Sequence, residues 1–109
     1  MSETTVQHLF NSTGMWIAFR RGKYVFDTLG NWIGWLPWDD CEVVDTMGSY
    51  LGTICDGSRL YHFFFRPYRG YPGYPGYPGY PGYPGYPGYA GYSPLPPGAS
   101  DVSFDKKGT

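Results

Sequence analysis

Residues 1–69 predict an all-β domain built as an antiparallel meander of repeated hairpins, and residues 70–98 predict a low-complexity tail. Two observations carry this. The pattern Asx, Ser/Thr, any residue, Gly, any residue, aromatic, aliphatic, small occurs three times between Asn11 and Gly52. After Arg69 the composition changes abruptly to Gly, Pro and Tyr. Of the 17 glycines and 11 prolines in this 109-residue chain, only 7 and 2 precede Gly70, so a core can be built from the first part alone. A unit of about 65 residues buries only about 60% of its unfolded surface, which makes self-association one support open to it.

The three copies are Leu9–Ala18, Val25–Gly34 and Val43–Gly52, at offsets of 16 and 18 residues. Each reads as strand, tight turn, strand. Asn11, Asp27 and Asp45 stand where a type I turn with a following bulge needs a side-chain acceptor for backbone N–H groups. Gly14, Gly30 and Gly48 stand where the backbone turns left-handed, a conformation that costs a residue with a Cβ about 1 kcal/mol or more. β-Branched and aromatic residues flank these turns, and helical spacing is absent. Arg21-Gly22, Pro37-Trp38-Asp39-Asp40 and Asp56-Gly57 connect one copy to the next, the last as a two-residue hairpin turn. The expected strands are 6–10, 15–20, 23–26, 31–36, 41–44, 49–55 and 58–65.

Ala18, Gly34 and Gly52 fall inside strands, where so small a residue marks close approach by another backbone or a large ring. Counting by twos, Trp16, Trp32 and Tyr50 share a face with them. Each repeat is thus expected to lay an aromatic into its neighbour's gap, as ordinary core packing rather than a ligand cage.

The thrice-repeated Asx-Ser/Thr-x-Gly-x-aromatic-aliphatic-small motif resembles the four-fold β-flower domain. The resemblance covers about residues 5–65 and implies a shallow barrel of four hairpins with pseudo-four-fold symmetry. That family resembles in turn the larger Tubby-like barrels, which bind phosphoinositides, though this is analogy of fold alone. A fourth hairpin is incomplete. Leu60–Phe65 supplies its first strand, but Arg66-Pro67-Tyr68-Arg69 leads into the tail instead of a turn. Within the C-terminal segment, residues 99–109, Asp101-Val102-Ser103-Phe104-Asp105 alternates polar and apolar residues and is the candidate for the closing strand, at 101–105.

From Gly70 the chain runs Gly-Tyr-Pro six times, then Gly-Tyr-Ala and Gly-Tyr-Ser, without a charge. A straight polyproline II helix of this segment would extend roughly 70 Å, at about 3.1 Å per residue. Its composition reads first as a disordered, tyrosine-rich linker or interaction tail. A collagen-like triple helix and multivalent association through exposed tyrosines are the alternatives.

Nothing in the sequence points to catalysis. His8 and His62 lie in expected strands without a paired nucleophile, and Asp27 and Asp45 are explained by turn chemistry. Cys41 and Cys55 lack metal-ligand spacing with the histidines and read as plain thiols. No cofactor or metal is therefore expected. The formal charge of −1 argues against nucleic acid as a partner. The amino terminus lacks the features of a signal peptide and no apolar run is long enough to span a membrane, so the expected location is the cytoplasm, with attachment to a membrane surface open. Arg20, Arg21 and Lys23 crowd one turn, with Arg66 and Arg69 at the expected exit of the barrel. Together they form a candidate patch for anionic headgroups. The functional expectation is a non-enzymatic binding or adaptor module for a lipid headgroup or protein. The alternative is a structural protein that assembles with itself through the tyrosine repeat.

Overall fold

The computed structural model describes residues 6–38 and 40–102, and every regular element among them is a strand. In order these are β1 (Val6–Phe10), β2 (Trp16–Arg21), β3 (Tyr24–Asp27), β4 (Trp32–Trp35), β5 (Glu42–Asp45), β6 (Tyr50–Cys55), β7 (Arg59–Phe63) and β8 (Ala99–Asp101). Each pairs antiparallel with the next. β1 also meets β7 in parallel at Phe10 and Arg59, where the Phe10 N–H donates to the Ser58 carbonyl at 2.9 Å. Seven strands thereby close into a barrel, and β8 lies along the same edge of β7 beyond the seam. The four hairpins β1–β2, β3–β4, β5–β6 and β7–β8 are called petals 1 to 4 below.

Petals 1 to 3 end in one shared turn, and the reason is visible atom by atom. Asn11 Oδ1 accepts the N–H groups of Thr13 and Met15 at 3.1 and 2.9 Å. Asp27 Oδ1 accepts those of Leu29 and Asn31, both at 2.9 Å, and Asp45 Oδ1 those of Met47 and Ser49 at 2.9 and 3.0 Å. Gly14, Gly30 and Gly48 close these turns at φ of +93°, +89° and +91°.

The core is a ring of aliphatic residues, one from each strand of the closed barrel except β4, whose place is taken by Leu36 just past its end: Leu9, Ala18, Val25, Leu36, Val43, Ile54 and Leu60. Burying such side chains is the main stabilising contribution, at about 1.5–3 kcal/mol for each large one. Gly34 and Gly52 face the neighbouring strand so closely that a Cβ would press on the carbonyl oxygens of Val44 and Tyr61.

The aromatics preceding these small residues do not fill the gaps, contrary to the count by twos. In petal 1 Leu9 pairs with Ala18 but Phe10 pairs with Trp16, which leaves Ile17 as an extra residue. Ile33 and Leu51 are extra in the same way in petals 2 and 3. A bulge of this kind breaks the alternation of faces. Ile17, Ile33 and Leu51 pack on the core with the small residues. Trp16, Trp32 and Tyr50 are left half-buried on the outer side.

Two connections also differ from expectation. The turn after β6 takes in Ser58 as well as Asp56 and Gly57, with Ser58 itself at φ +60°. Its strain is offset by bonds at both ends, since its carbonyl serves Phe10 and its hydroxyl accepts from Gln7 Nε2 at 3.0 Å. The closing strand lies at Ala99–Asp101 rather than 101–105, and residues 103–105 are outside the described residues. Pro97 and Gly98 (φ +81°) form a tight turn in which the Ala99 N–H donates to the Pro96 carbonyl at 3.1 Å, so the chain enters its strand at once. The apolar alternation that suggested a later start reflects Val102, which packs on the core just past the strand's end.

Candidate functional site

The tail is not a loose end; it is a strap laid around the barrel. Proline fixes φ near −65° and extends the residue before it, while Gly70, Gly73, Gly76, Gly79, Gly82, Gly85, Gly88 and Gly91 all lie between +84° and +93°. A Cβ on any of these eight would meet nothing within 4 Å, so the glycines are there for their backbone angle and not for room. Proline followed by a left-handed glycine is the dihedral sequence of a type II turn, and repeating it every three residues bends the chain. The strap therefore curls, and the whole molecule measures 35 × 34 × 32 Å.

Its path follows the petals in reverse order. At the root Arg66 pairs with Glu42 and stacks over the Tyr50 ring at 4.9 Å. Arg69 pairs with Asp40 at 2.8 Å and Glu42 at 2.9 Å and stacks on Trp38 at 4.3 Å. Burial raises the Asp40 pKa, but the hydrogen bond from Arg69, the bond to Glu42 in the backbone and the charges of Arg69 and Arg66 outweigh it and hold the carboxyl below its ordinary value. The Tyr71 ring then lies on Gly48 at the tip of petal 3, and the Tyr80 ring on Gly30 at the tip of petal 2. Between them Tyr74 and Tyr77 flank Trp32, with ring centroids 5.6 and 5.9 Å away and tilted by 59° and 57°. Nine residues further on, Tyr83 and Tyr86 flank Trp16, both at 5.9 Å and at 62° and 58°. Three triplets of strap thus correspond to one petal of barrel.

The far end is held by backbone. Ala90 and Ser93 N–H groups donate to the carbonyls of Gly14 and Ser12 at 2.9 and 2.8 Å. The buried Arg59 reaches from β7 to donate to the carbonyls of Asn11 at 2.8 Å, Gly91 at 2.9 Å and Ala90 at 3.3 Å. Asp101 on β8 completes the ring, accepting the Ser12 N–H at 2.8 Å and the Ser12 hydroxyl at 2.7 Å.

One register position recurs in these contacts. His8, Tyr24, Glu42 and Arg59 each precede the core aliphatic of the first strand of a petal, and each faces the strap. His8 Nε2–H donates to the Gly85 carbonyl at 3.0 Å. Tyr24 lines a hollow of about 340 Å³ with Pro78, Gly79 and Pro81. Glu42 and Arg59 make the contacts already given. Of these four only His8 stood out in the sequence, and only as a strand residue without a catalytic partner, because position in a strand says nothing of what crosses it. The available signal was the length of the tail, eight triplets against three petals to pass.

The five basic residues of the candidate anion patch are placed differently from one another. Arg66 and Arg69 are neutralised by Glu42 and Asp40. Arg20, Arg21 and Lys23 remain at the β2–β3 turn, where Arg20 Nε donates to the Gly22 carbonyl at 2.8 Å and the Lys23 ammonium lies 5.8 Å from the Tyr24 and Trp35 rings. Among the described residues no carboxylate pairs with these three, and no group of three or more His, Cys, Asp or Glu side chains is placed to hold a metal ion. Cys41 and Cys55 are free thiols. Burial, then the neighbouring Asp56 and Cys41, push the Cys55 thiol up. Among the described residues no helix is long and apolar enough to cross a membrane.

A closed seven-strand barrel of hairpins, with its fourth hairpin split by a strap, defines a hairpin-ring protein. Compared with known families, the chain matches over residues 2–101 the family described as 4-fold beta flower protein, and it belongs to that family. The match takes in the strap and β8 as well as the first three petals. No curated protein and no solved structure matches the chain.

Proposed function

We propose that the protein is a non-enzymatic binding module whose petals recognise proline- and glycine-rich polypeptide bearing tyrosines. The observation that carries this reading is the repeated docking geometry: Trp16 and Trp32, equivalent residues of two petals, are each flanked by two tyrosines three residues apart. Tilted aromatic contacts of this kind contribute about 0.5–1.5 kcal/mol each beyond the area they bury. The segment they hold is constrained by proline and loses little entropy on docking. Anionic headgroups at Arg20, Arg21 and Lys23 are the weaker reading, since Arg66 and Arg69 already have carboxylate partners.

The test uses the full chain with Tyr74, Tyr77, Tyr83 and Tyr86 changed to Ser, which loosens the strap without touching the core. A synthetic peptide of six Gly-Tyr-Pro triplets should then quench or shift tryptophan fluorescence saturably. The wild-type chain should respond far more weakly, because its own strap competes at an effective concentration of about millimolar. If the substituted chain responds no more to this peptide than to one with Ser in place of Tyr, the petals are not a receptor for such segments.

A further inference from the structure

We infer that the strap is exchangeable between copies, so that a second molecule of this same chain is a partner: the strap of one copy docks on Trp16 and Trp32 of another. This rests on the reading of the petals as receptors for tyrosine-bearing Pro/Gly polypeptide and names the ligand that the chain itself carries.

Three features favour exchange. First, the strap is a complete ligand whose receptor is present in every copy, so any second molecule offers matching grooves. Second, its hold is concentrated at the ends. Between Tyr71 and Tyr89 the one polar contact with the barrel among the described residues is the bond from His8 to Gly85, and the other contacts are tyrosine rings laid on Trp16, Trp32 and the turn glycines Gly30 and Gly48. The eight strap tyrosines stay 60–71% exposed even when docked, so lifting the strap uncovers little apolar surface that was dry. Third, the geometry allows the reach. The strap is a loop anchored in the barrel at both β7 and β8, and half of its roughly 30 residues extended as polyproline II spans about 45 Å. That exceeds the 35 Å width of a neighbouring molecule. The groove beside Trp32 is also open to an incoming chain, a depression of about 540 Å³ lined by Asn31, Thr46, Met47, Tyr74 and Tyr77 as well as Trp32.

Because donor and receptor sit on the same chain, the cis strap is the competitor that an exchanged strap must displace. Wild-type protein should therefore be monomeric at about 10 μM and associate toward about 1 mM, the effective concentration of a tethered ligand. The decisive experiment separates the two roles in full-length chains. One variant carries Tyr74, Tyr77, Tyr83 and Tyr86→Ser, with intact grooves and no competent strap. The other carries Trp16→Leu and Trp32→Leu, with an intact strap and no grooves. Each alone should remain monomeric by sedimentation velocity. Mixed, they should form a one-to-one complex at least about tenfold tighter than the wild-type dimer, because neither cis competitor remains. The six-triplet Gly-Tyr-Pro peptide should dissolve it. A mixture no more associated than its components overturns the exchange, and so does association of the Trp→Leu variant with itself, which would show that tyrosines adhere without the grooves. Peptide binding to the Tyr→Ser variant alone distinguishes the two levels: if it binds while the mixture stays apart, the receptor reading stands and only the exchange fails. Circular dichroism of both variants checks that the barrel is folded; should Trp→Leu unfold it, Trp→Tyr in the same pair replaces it.

Discussion

Gly14 and Gly30 occupy the same place in two petals, yet substitution by Ala should cost different amounts, and the difference measures the strap. The shared part is backbone strain: at φ of +93° and +89° an L-residue costs about 1–2 kcal/mol. At Gly30 the nearest atoms to the added Cβ all belong to the ring of Tyr80, which is 65% exposed and can swing aside. At Gly14 it would lie 2.5 Å from both the nitrogen and the oxygen of Gly91, which are backbone atoms held by Arg59. The strap end must lift, losing the Ala90 bond to Gly14 and the Arg59 bond to Gly91. A neutral bond is worth about 0.5–1.5 kcal/mol net and a charged one about 1.5–3, and water replaces part of both, so the excess is about 1–3 kcal/mol. Gly14→Ala should then cost about 2–5 kcal/mol and Gly30→Ala about 1–2 kcal/mol, with the gap of about 1–3 kcal/mol belonging to the strap. In a domain of this size each kcal/mol lowers Tm by about 4–8 °C, so calorimetry resolves the gap and urea denaturation gives it independently. Repeating the pair with residues 71–92 replaced by a short Gly/Ser linker should make the two costs equal. Equal costs in the full chain, or a gap that survives removal of the strap, would refute the seating of Gly91 on Gly14.

Two further outcomes follow from individual contacts. Asp101→Ala leaves the buried Ser12 without a partner for its N–H and hydroxyl, and should cost about 1–3 kcal/mol in urea denaturation; a change within experimental error would mean that the seam between petals 4 and 1 closes without Asp101. Asp40, whose folded pKa lies below the ordinary 3.8, stabilises the strap root above that value and loses this contribution as pH falls through the folded pKa. The pair is surface-exposed, so the effect should be small and fade with salt. Arg69→Ser should remove it, and an unchanged pH profile of unfolding between about pH 5 and pH 2 in that variant would show that Arg69 is not its source.

How much of this was legible beforehand depends on the range of the interaction. The turns were readable from the sequence, because Asn11, Asp27 and Asp45 bond to N–H groups two and four residues away and the glycine requirement is a property of one residue's backbone. The all-β class and the repeat followed from the same short-range chemistry, and the motif carried the resemblance to the β-flower barrel. The aromatic face was misread by one residue per petal. A bulge is decided by pairing across strands, and a period of two cannot register an extra residue. The closing strand was placed too late because Ala99–Asp101 has no apolar alternation; it is held by backbone pairing to β7 and by Asp101 on Ser12, 89 positions away in the chain. Only the tertiary structure decided what the tail does. Composition shows that Gly-Tyr-Pro triplets cannot form a core of their own, and that is all it shows. Whether they stay in solvent or lie on a surface depends on what that surface offers. Here it offers two tryptophans whose contacts along the strap fall nine residues apart, and a buried arginine, drawn from strands far apart in sequence and made neighbours only by closure of the barrel.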